Sequence, residues 1–149
     1  MRIVIQRVIG AELWISNKLY SQINKGILVL LGIGQDDNSN DINYLIDKLF
    51  NLRIFPDNDN TMNLSIVDIN GDVLIVSQFT LYGDCRKGRR PSYSNAMKPD
   101  LAESIYNQFI EKAKTYNLNI QTGKFQAMMD IKLTNWGPVT LLVDSKKGF

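Results

Sequence analysis

The side chains with chemistry to offer are concentrated between Ser77 and Ser92, SQFTLYGDCRKGRRPS. Hydroxyl and amide groups come first, on Ser77, Gln78 and Thr80. A Gly83-Asp84 turn follows, and then Arg86, Lys87, Arg89 and Arg90 place four cations within five residues. Such a set can hold a polar ligand at one end and a phosphate at the other, with Gly88 letting the backbone approach closely. Each half also has an ordinary reading. The cations can be a solvated turn, and the three polar side chains can be a strand end satisfied by neighbouring backbone. Cys85 lies in a basic neighbourhood, but no base or resolving thiol accompanies it, so it reads as a bystander.

What is missing narrows the chemistry further. The chain has 149 residues, no histidine and one cysteine. That removes Ser-His-Asp and Cys-His catalysis, His-ligated metals, thiolate clusters and an internal disulfide. An enzyme built from this chain works through hydroxyls, carboxylates, amines, backbone amides or the substrate itself, and neither a metal nor a cofactor is expected. A formal net charge of +2 is too small to argue for nucleic acid, so the cluster at 86–90 is the one strong bias. Hydrophobic residues make up 44% and charged residues 21%, the balance of one domain, 1–149, with a real core. No apolar run nears the roughly 20 residues of a membrane span. The first residues, Met1-Arg-Ile-Val-Ile-Gln-Arg, read as a strand and not as a signal peptide, so a cytoplasmic location is expected.

The elements that must position these groups follow from periodicity. Asn70-Gly71 is a turn signal, and the apolar, β-branched run from Asp72 to Phe79 reads as a central strand that delivers the polar cluster. By alternation, Gln78 and Thr80 share one face and Ser77 and Phe79 the other. Upstream, Arg2–Ile9 is a strand, and Ala11–Ser16 and Leu19–Ile23 flank a hairpin at Asn17-Lys18. Gly26–Ile33 is a fully apolar strand. The sequence after it, Gly32-Ile-Gly-Gln-Asp-Asp, lacks the third glycine and the lysine of a phosphate loop, so it reads as a strand-to-helix turn. Ser39 or Asn40 caps a helix over Asp41–Leu52, with Ile42, Leu45, Ile46, Leu49 and Phe50 on its apolar face. Asp57–Thr61 is a polar loop without the glycine and glutamate of a calcium loop.

A second helix runs from Pro99 or Asp100 to about Tyr116, with Leu101, Ile105, Phe109 and Ala113 as its buried stripe and Ala102, Tyr106 and Ile110 beside it. Asn117–Thr122 is extended. Phe125–Leu133 alternates, and Met128 and Met129 read as core. Asn135-Trp136-Gly137 turns the chain, and Pro138–Asp144 returns it as a strand. The sum is an α+β single domain: a sheet or barrel-like core of mixed or antiparallel strands with two main helices packed on it.

The motifs Arg2-Ile-Val-Ile-Gln-Arg-Val, Gly26-Ile-Leu-Val-Leu-Leu-Gly-Ile, Asn51-Leu-Arg-Ile-Phe, Val76-Ser-Gln-Phe-Thr-Leu-Tyr, Arg86-Lys-Gly-Arg-Arg-Pro-Ser and Asn135-x-Gly-Pro-Val-Thr resemble the D-aminoacyl-tRNA (D-tyrosyl-tRNA) deacylase family nearly end to end. The resemblance implies a homodimer. It implies hydrolysis of the ester joining a D-amino acid, D-tyrosine for example, to the 3′-terminal adenosine of tRNA. Ser77, Gln78, Phe79 and Thr80 would form the catalytic stretch, and Phe125, Met129 and Asn135 would line the substrate pocket. Arg86, Lys87, Arg89 and Arg90 would meet tRNA phosphates. Gly137-Pro138 would be cis and would enter the partner subunit's site to reject L-aminoacyl-tRNA, although spacing alone favours trans. The implied partners are tRNA and a second copy of the chain, with no DNA and no membrane.

Two positions depart from the family pattern: Trp136 stands where Asp is usual, and Gln126 where Gly is usual. Trp136 either packs at the subunit interface, the preferred reading, or narrows the pocket entrance, or offers a base an aromatic platform. Without histidine, the expected mechanism is attack by water on an already reactive ester. Backbone amides around Gln78–Thr80 stabilise the oxyanion, Thr80 positions the water, and the ribose 2′-hydroxyl assists. A selector that excludes the L side chain finds none in glycine, so glycyl-tRNA is an expected second substrate. The alternative is a non-catalytic RNA-binding β-rich module. It accounts for the basic loop but not for the pairing of Ser-Gln-Phe-Thr with Gly-Pro-Val-Thr.

Overall fold

The computed structural model describes residues 1–149. In chain order the elements are β1 (Arg2–Ile15), β2 (Lys18–Ile23), β3 (Gly26–Gly32), α1 (Ser39–Asn51), β4 (Phe55–Pro56), β5 (Met62–Leu64), β6 (Asp72–Ser77), α2 (Pro99–Lys114), β7 (Ile120–Thr122) and β8 (Asp130–Asp144). One short 3-10 turn, Phe79–Tyr82, follows β6. The main sheet runs β2-β1-β3-β6-β7, with β8 on the free side of β1. Pairs β1–β2, β1–β3 and β1–β8 are antiparallel, while β3–β6 and β6–β7 are parallel, so the sheet is mixed. It curls until its two ends meet: the Ser21 hydroxyl on β2 donates to the Thr122 carbonyl on β7 at 3.0 Å. The result is a nearly closed barrel.

Period-two alternation divides the buried side chains between the two faces of this sheet. Val73 and Ile75 of β6 join Ile3, Ile5, Ile27 and Val29 under the helices, while Leu74 and Val76 join Val8, Leu13 and Leu28 in a second cluster. The helical face takes Ile42, Leu45, Ile46, Leu49 and Phe50 from α1, the stripe expected from the sequence. From α2 it takes Ala102, Tyr106, Phe109, Ile110 and Ala113, whereas Leu101 is 63% exposed. Phe109 and Ala113 of the expected stripe are buried, as are Ala102, Tyr106 and Ile110 expected beside it, while Ile105 is half-buried and Leu101 alone faces outward. The α1 cap is Asn38, not Ser39 or Asn40. Its side chain accepts from the Asn40 N–H, and Asp41 reaches back to the Asn38 N–H at 2.9 Å. This capping box satisfies donors that the first turn leaves free. The hairpin between β1 and β2 turns at Ser16-Asn17, both at positive φ, one residue earlier than expected.

The largest departure concerns β8. It does not turn back at Asn135–Gly137 but continues along β1 for 15 residues. Gln6 pairs with Thr140 while Val8 pairs with Asn135, so Trp136–Val139 bulges outward opposite Arg7 alone. The Asn135 side chain closes the base of this bulge. Its amide donates to the Val139 carbonyl and to Thr140 Oγ1, both at 3.1 Å, and its oxygen accepts from the Val139 N–H at 2.8 Å. The excursion is pinned locally, so both flanks keep their ladder with β1. Phe125–Met129 precedes the strand as a turn with Gln126 at positive φ, and Met128, read as core, is 88% exposed.

Candidate active site

Strand β6 delivers Ser77 to the end of the parallel β3–β6 pair, where it lies beside Leu31. The chain then leaves the strand. Gln78 N–H donates to the Leu31 carbonyl at 2.7 Å, and Phe79–Tyr82 winds into the 3-10 turn. Strand alternation therefore does not govern these residues. Gln78 and Thr80 meet because the turn brings them together, the Gln78 side-chain amide donating to Thr80 Oγ1. Hydrogen bonding within the turn begins with Leu81 N–H donating to the Gln78 carbonyl at 3.3 Å. The N–H groups of Phe79 and Thr80 have no acceptor inside it, as at any helical N-terminus. Phe79 is 57% exposed and meets the ring of Tyr93 edge-on, with centroids 5.0 Å apart.

Two glycines on the neighbouring segment allow the turn to sit so close. A Cβ on Gly34 would lie 2.6 Å from the Tyr82 ring, and one on Gly32 would lie 2.9 Å from Leu81 Cβ. The Gly-Ile-Gly sequence is thus a bed for the turn.

The basic loop is fixed at its base by the Asp84–Ser92 backbone pair, with bonds of 2.8 and 3.0 Å. Its cations are not equivalent. Arg86 forks onto Asp84 through Nε at 2.9 Å and Nη2 at 2.7 Å. This bond holds the Asp84 carboxyl well below the usual carboxylate range. Lys87, Arg89 and Arg90 are exposed and make no ion pair, so they are the charges free to meet an incoming anion.

Gly137-Pro138 forms the tip of the β8 bulge. The peptide between them is cis, and both residues are exposed. Behind the tip stands Arg7, only 7% exposed and without a carboxylate partner. Its Nε donates to the Trp136 carbonyl at 2.8 Å and its Nη1 to the Ile54 carbonyl at 2.6 Å. Burial lowers its pKa from the ordinary arginine value, but a guanidinium stays charged in proteins. The Trp136 ring turns back onto the body of the chain, against Phe55, with Arg7 4.4 Å and Lys25 4.5 Å from its centre. Arg7 escaped the reading by motif. The available signal was its phase: it continues the Ile3, Ile5 alternation that faces the core, where an arginine needs a specific reason to be.

The other expected pocket residues divide. Phe125 packs on Tyr106, whose hydroxyl donates to the Ile75 carbonyl of β6 at 2.9 Å. Met129 reaches across Gly123 to the end of β6: a Cβ on that glycine would touch Met129 Sδ at 2.8 Å and Val76 at 3.3 Å. Met129 therefore borders the end of β6, and Phe125 reaches that strand through Tyr106. Asn135 has its amide fully engaged in closing the bulge.

Within the chain the two halves stay apart. Ser77 lies in the row Ser77–Leu31–Ile3–Val143, while the bulge lies opposite Arg7 in the row Val73–Ile27–Arg7. Three strand spacings, about 14 Å, separate β6 from β8, and four residues along the strands add about 13 Å.

A curled mixed sheet carrying a strand-end turn and an edge bulge is an architecture seen in solved structures. The chain superimposes on "c-Myc DNA Unwinding Element Binding Protein" with a TM-score of 0.92 and 36% identity, over 97% of this chain and 98% of that one. A structure described as a probable eukaryotic D-amino acid tRNA deacylase shares the fold at a TM-score of 0.81 and 18% identity, over 95% and 97% of the two chains. Sequence narrows this class to one family. The family model described as D-Tyr-tRNA(Tyr) deacylase matches residues 4–144. D-aminoacyl-tRNA deacylases of Thermosipho africanus (strain TCF52B) and Clostridioides difficile (strain 630) are 58% and 55% identical over 149 residues, covering 100% of both chains in each case. The chain belongs to the D-Tyr-tRNA(Tyr) deacylase family.

Proposed function

We propose that this chain is a D-aminoacyl-tRNA deacylase that works as a homodimer in the cytoplasm, each site being completed by Gly137-Pro138 of the other subunit. The observation that carries the cross-subunit reading is the separation of the two halves, together with the exposure of the tip on a strand whose outer edge is unpaired. A free edge of 15 residues is a surface that proteins cover, and a second copy covers it symmetrically.

The reaction needs little beyond what the turn offers. Water attacks the ester carbonyl to form a tetrahedral oxyanion, and its collapse restores the carbonyl and breaks the bond to the ribose 3′-oxygen, which takes the proton that the water gives up as the free amino acid departs. The amides of Phe79 and Thr80 are the donors for the oxyanion, and such donors are worth about 10²–10³ in rate. Thr80 Oγ1 already accepts from Gln78, and no base stands by to ionise it. Its role is to place water, so Thr80→Ala retains activity within about tenfold of wild type under single-turnover conditions. A folded, tRNA-binding Thr80→Ala protein with no activity would establish a threonine nucleophile instead.

Selection between D and L forms rests on the backbone of Gly137-Pro138. Carbonyl oxygens hold the substrate ammonium, and the tip occupies the space into which an L side chain would project. Glycine has no such side chain and is accepted. Lys87, Arg89 and Arg90 meet tRNA phosphates. The test is a deacylation assay with D-tyrosyl-, L-tyrosyl- and glycyl-tRNA. The first and third are hydrolysed and the second survives. Salt-sensitive tRNA binding without release of D-tyrosine would instead identify a non-catalytic RNA-binding module. Inert glycyl-tRNA at enzyme levels that clear the D-ester would end the steric account of chirality.

A further inference from the structure

The turn that carries the Phe79 and Thr80 amides is gripped by a set of side chains at its far end. Arg2 Nη1 donates to the Leu81 carbonyl at 3.0 Å. The guanidinium lies 4.6 Å from the centre of the Tyr82 ring and 5.5 Å from that of Phe149, and its Nε reaches Asp144 at 3.4 Å. The Tyr82 hydroxyl donates to Asp37 Oδ2 at 3.3 Å. Burial and the nearby carboxylates of Asp37 and Asp144 push the Tyr82 pKa upward, so the hydroxyl stays a donor. Asp37 is itself 7% exposed and is fixed by the Gly34 N–H at 2.6 Å and by the Met1 ammonium. The chain from the buried acid to the turn is therefore continuous: Asp37, Tyr82, Arg2, the Leu81 carbonyl.

We propose that Arg2, acting with Tyr82 and Asp37, is a positioning residue that fixes the direction of the Phe79 and Thr80 N–H groups. The proposal rests on reading those two amides as the oxyanion donors. A carbonyl held by a cation that is itself held by Asp144 and two aromatic rings cannot rotate freely. Rotation of the Leu81 peptide would tilt the whole four-residue turn. Lysine keeps the charge but has neither the flat face to lie against the rings nor the fork to reach Leu81 and Asp144 together.

The test is Arg2→Lys, with Tyr82→Phe as a second variant that removes only the hydroxyl. In single-turnover deacylation of D-tyrosyl-tRNA, Arg2→Lys lowers the saturating rate about tenfold, while the half-saturating enzyme concentration stays within about twofold. Tyr82→Phe lowers the rate about threefold in the same manner. Hydrogen exchange of the Leu81 and Gly83 amides accelerates in Arg2→Lys, while amides of β6 exchange as in wild type. A wild-type saturating rate in Arg2→Lys overturns the proposal, as does a loss confined to half-saturation, which would make Arg2 a substrate contact. A wild-type protein that releases no D-tyrosine is a different failure, that of the deacylase reading itself.

Discussion

Gly137→Ala should lower the rate of D-tyrosyl-tRNA deacylation about a hundredfold or more while the protein still folds. Gly137 has φ +136°, a backbone region that side-chain-bearing residues rarely adopt. A Cβ there would also lie 2.7 Å from Arg7 Nη2 and 2.9 Å from Val139 Cγ2. Arg7 cannot step aside cheaply. It is buried, and its other nitrogens hold the Trp136 and Ile54 carbonyls, which would lose their partner. The tip must therefore move. Backbone strain of this kind costs about 1–3 kcal/mol, within the stability reserve of an ordinary domain. A displacement near 1 Å at a positioning element, by contrast, costs about two orders of magnitude in rate. Thermal melting together with single-turnover kinetics separates the two effects. Near-wild-type kinetics in a folded Gly137→Ala protein would take the bulge out of the active site.

The contrast between Gly137 and Ser77 shows where sequence reading succeeded and where it stopped. The core strands were legible because period-two and period-3.6 patterns are local. Gly26–Gly32, Asp72–Ser77 and the α1 stripe needed no tertiary information. The extension of the strand beyond Ser77 failed because alternation cannot report where a chain stops being extended. That is decided by Gly32 and Gly34, whose missing side chains let the 3-10 turn settle against β3. The hairpin expected at Asn135–Gly137 failed for a related reason. Asn-Trp-Gly-Pro carries turn chemistry, and the chain does bend there, but the bend is a bulge because β1 continues on both sides of it. Whether turn residues reverse a strand or interrupt it depends on the length of the neighbouring strand. Arg86 illustrates a third limit. Composition counts four cations, yet the neighbouring Asp84 engages one of them, leaving three for a ligand.

The separation of the two halves leads to the other large expected effect, which is a recovery of activity. Phe79→Pro removes one of the two amide donors at a position where proline suits the first residue of a helical turn. Alone it should lose about 10²–10³ in rate, the usual cost of one oxyanion donor. Gly137→Ala, alone, should be similarly inactive. Co-expressed, the two chains form mixed dimers. In a mixed dimer with shared sites, one site combines both defects, while the other joins an intact Phe79–Thr80 turn to an intact Gly137-Pro138 tip. Random assortment makes half the dimers mixed, so the population should recover about a quarter of wild-type activity. If each site were built within one chain, every site in every dimer would carry one defect, and mixing would recover nothing. The assay reads total D-tyrosine release from the co-expressed pair against each parent. The difference between about a quarter and background is large enough to decide between the two architectures. The distances speak against the single-chain architecture: the tip lies about 14 Å across the sheet and about 13 Å along it from Ser77.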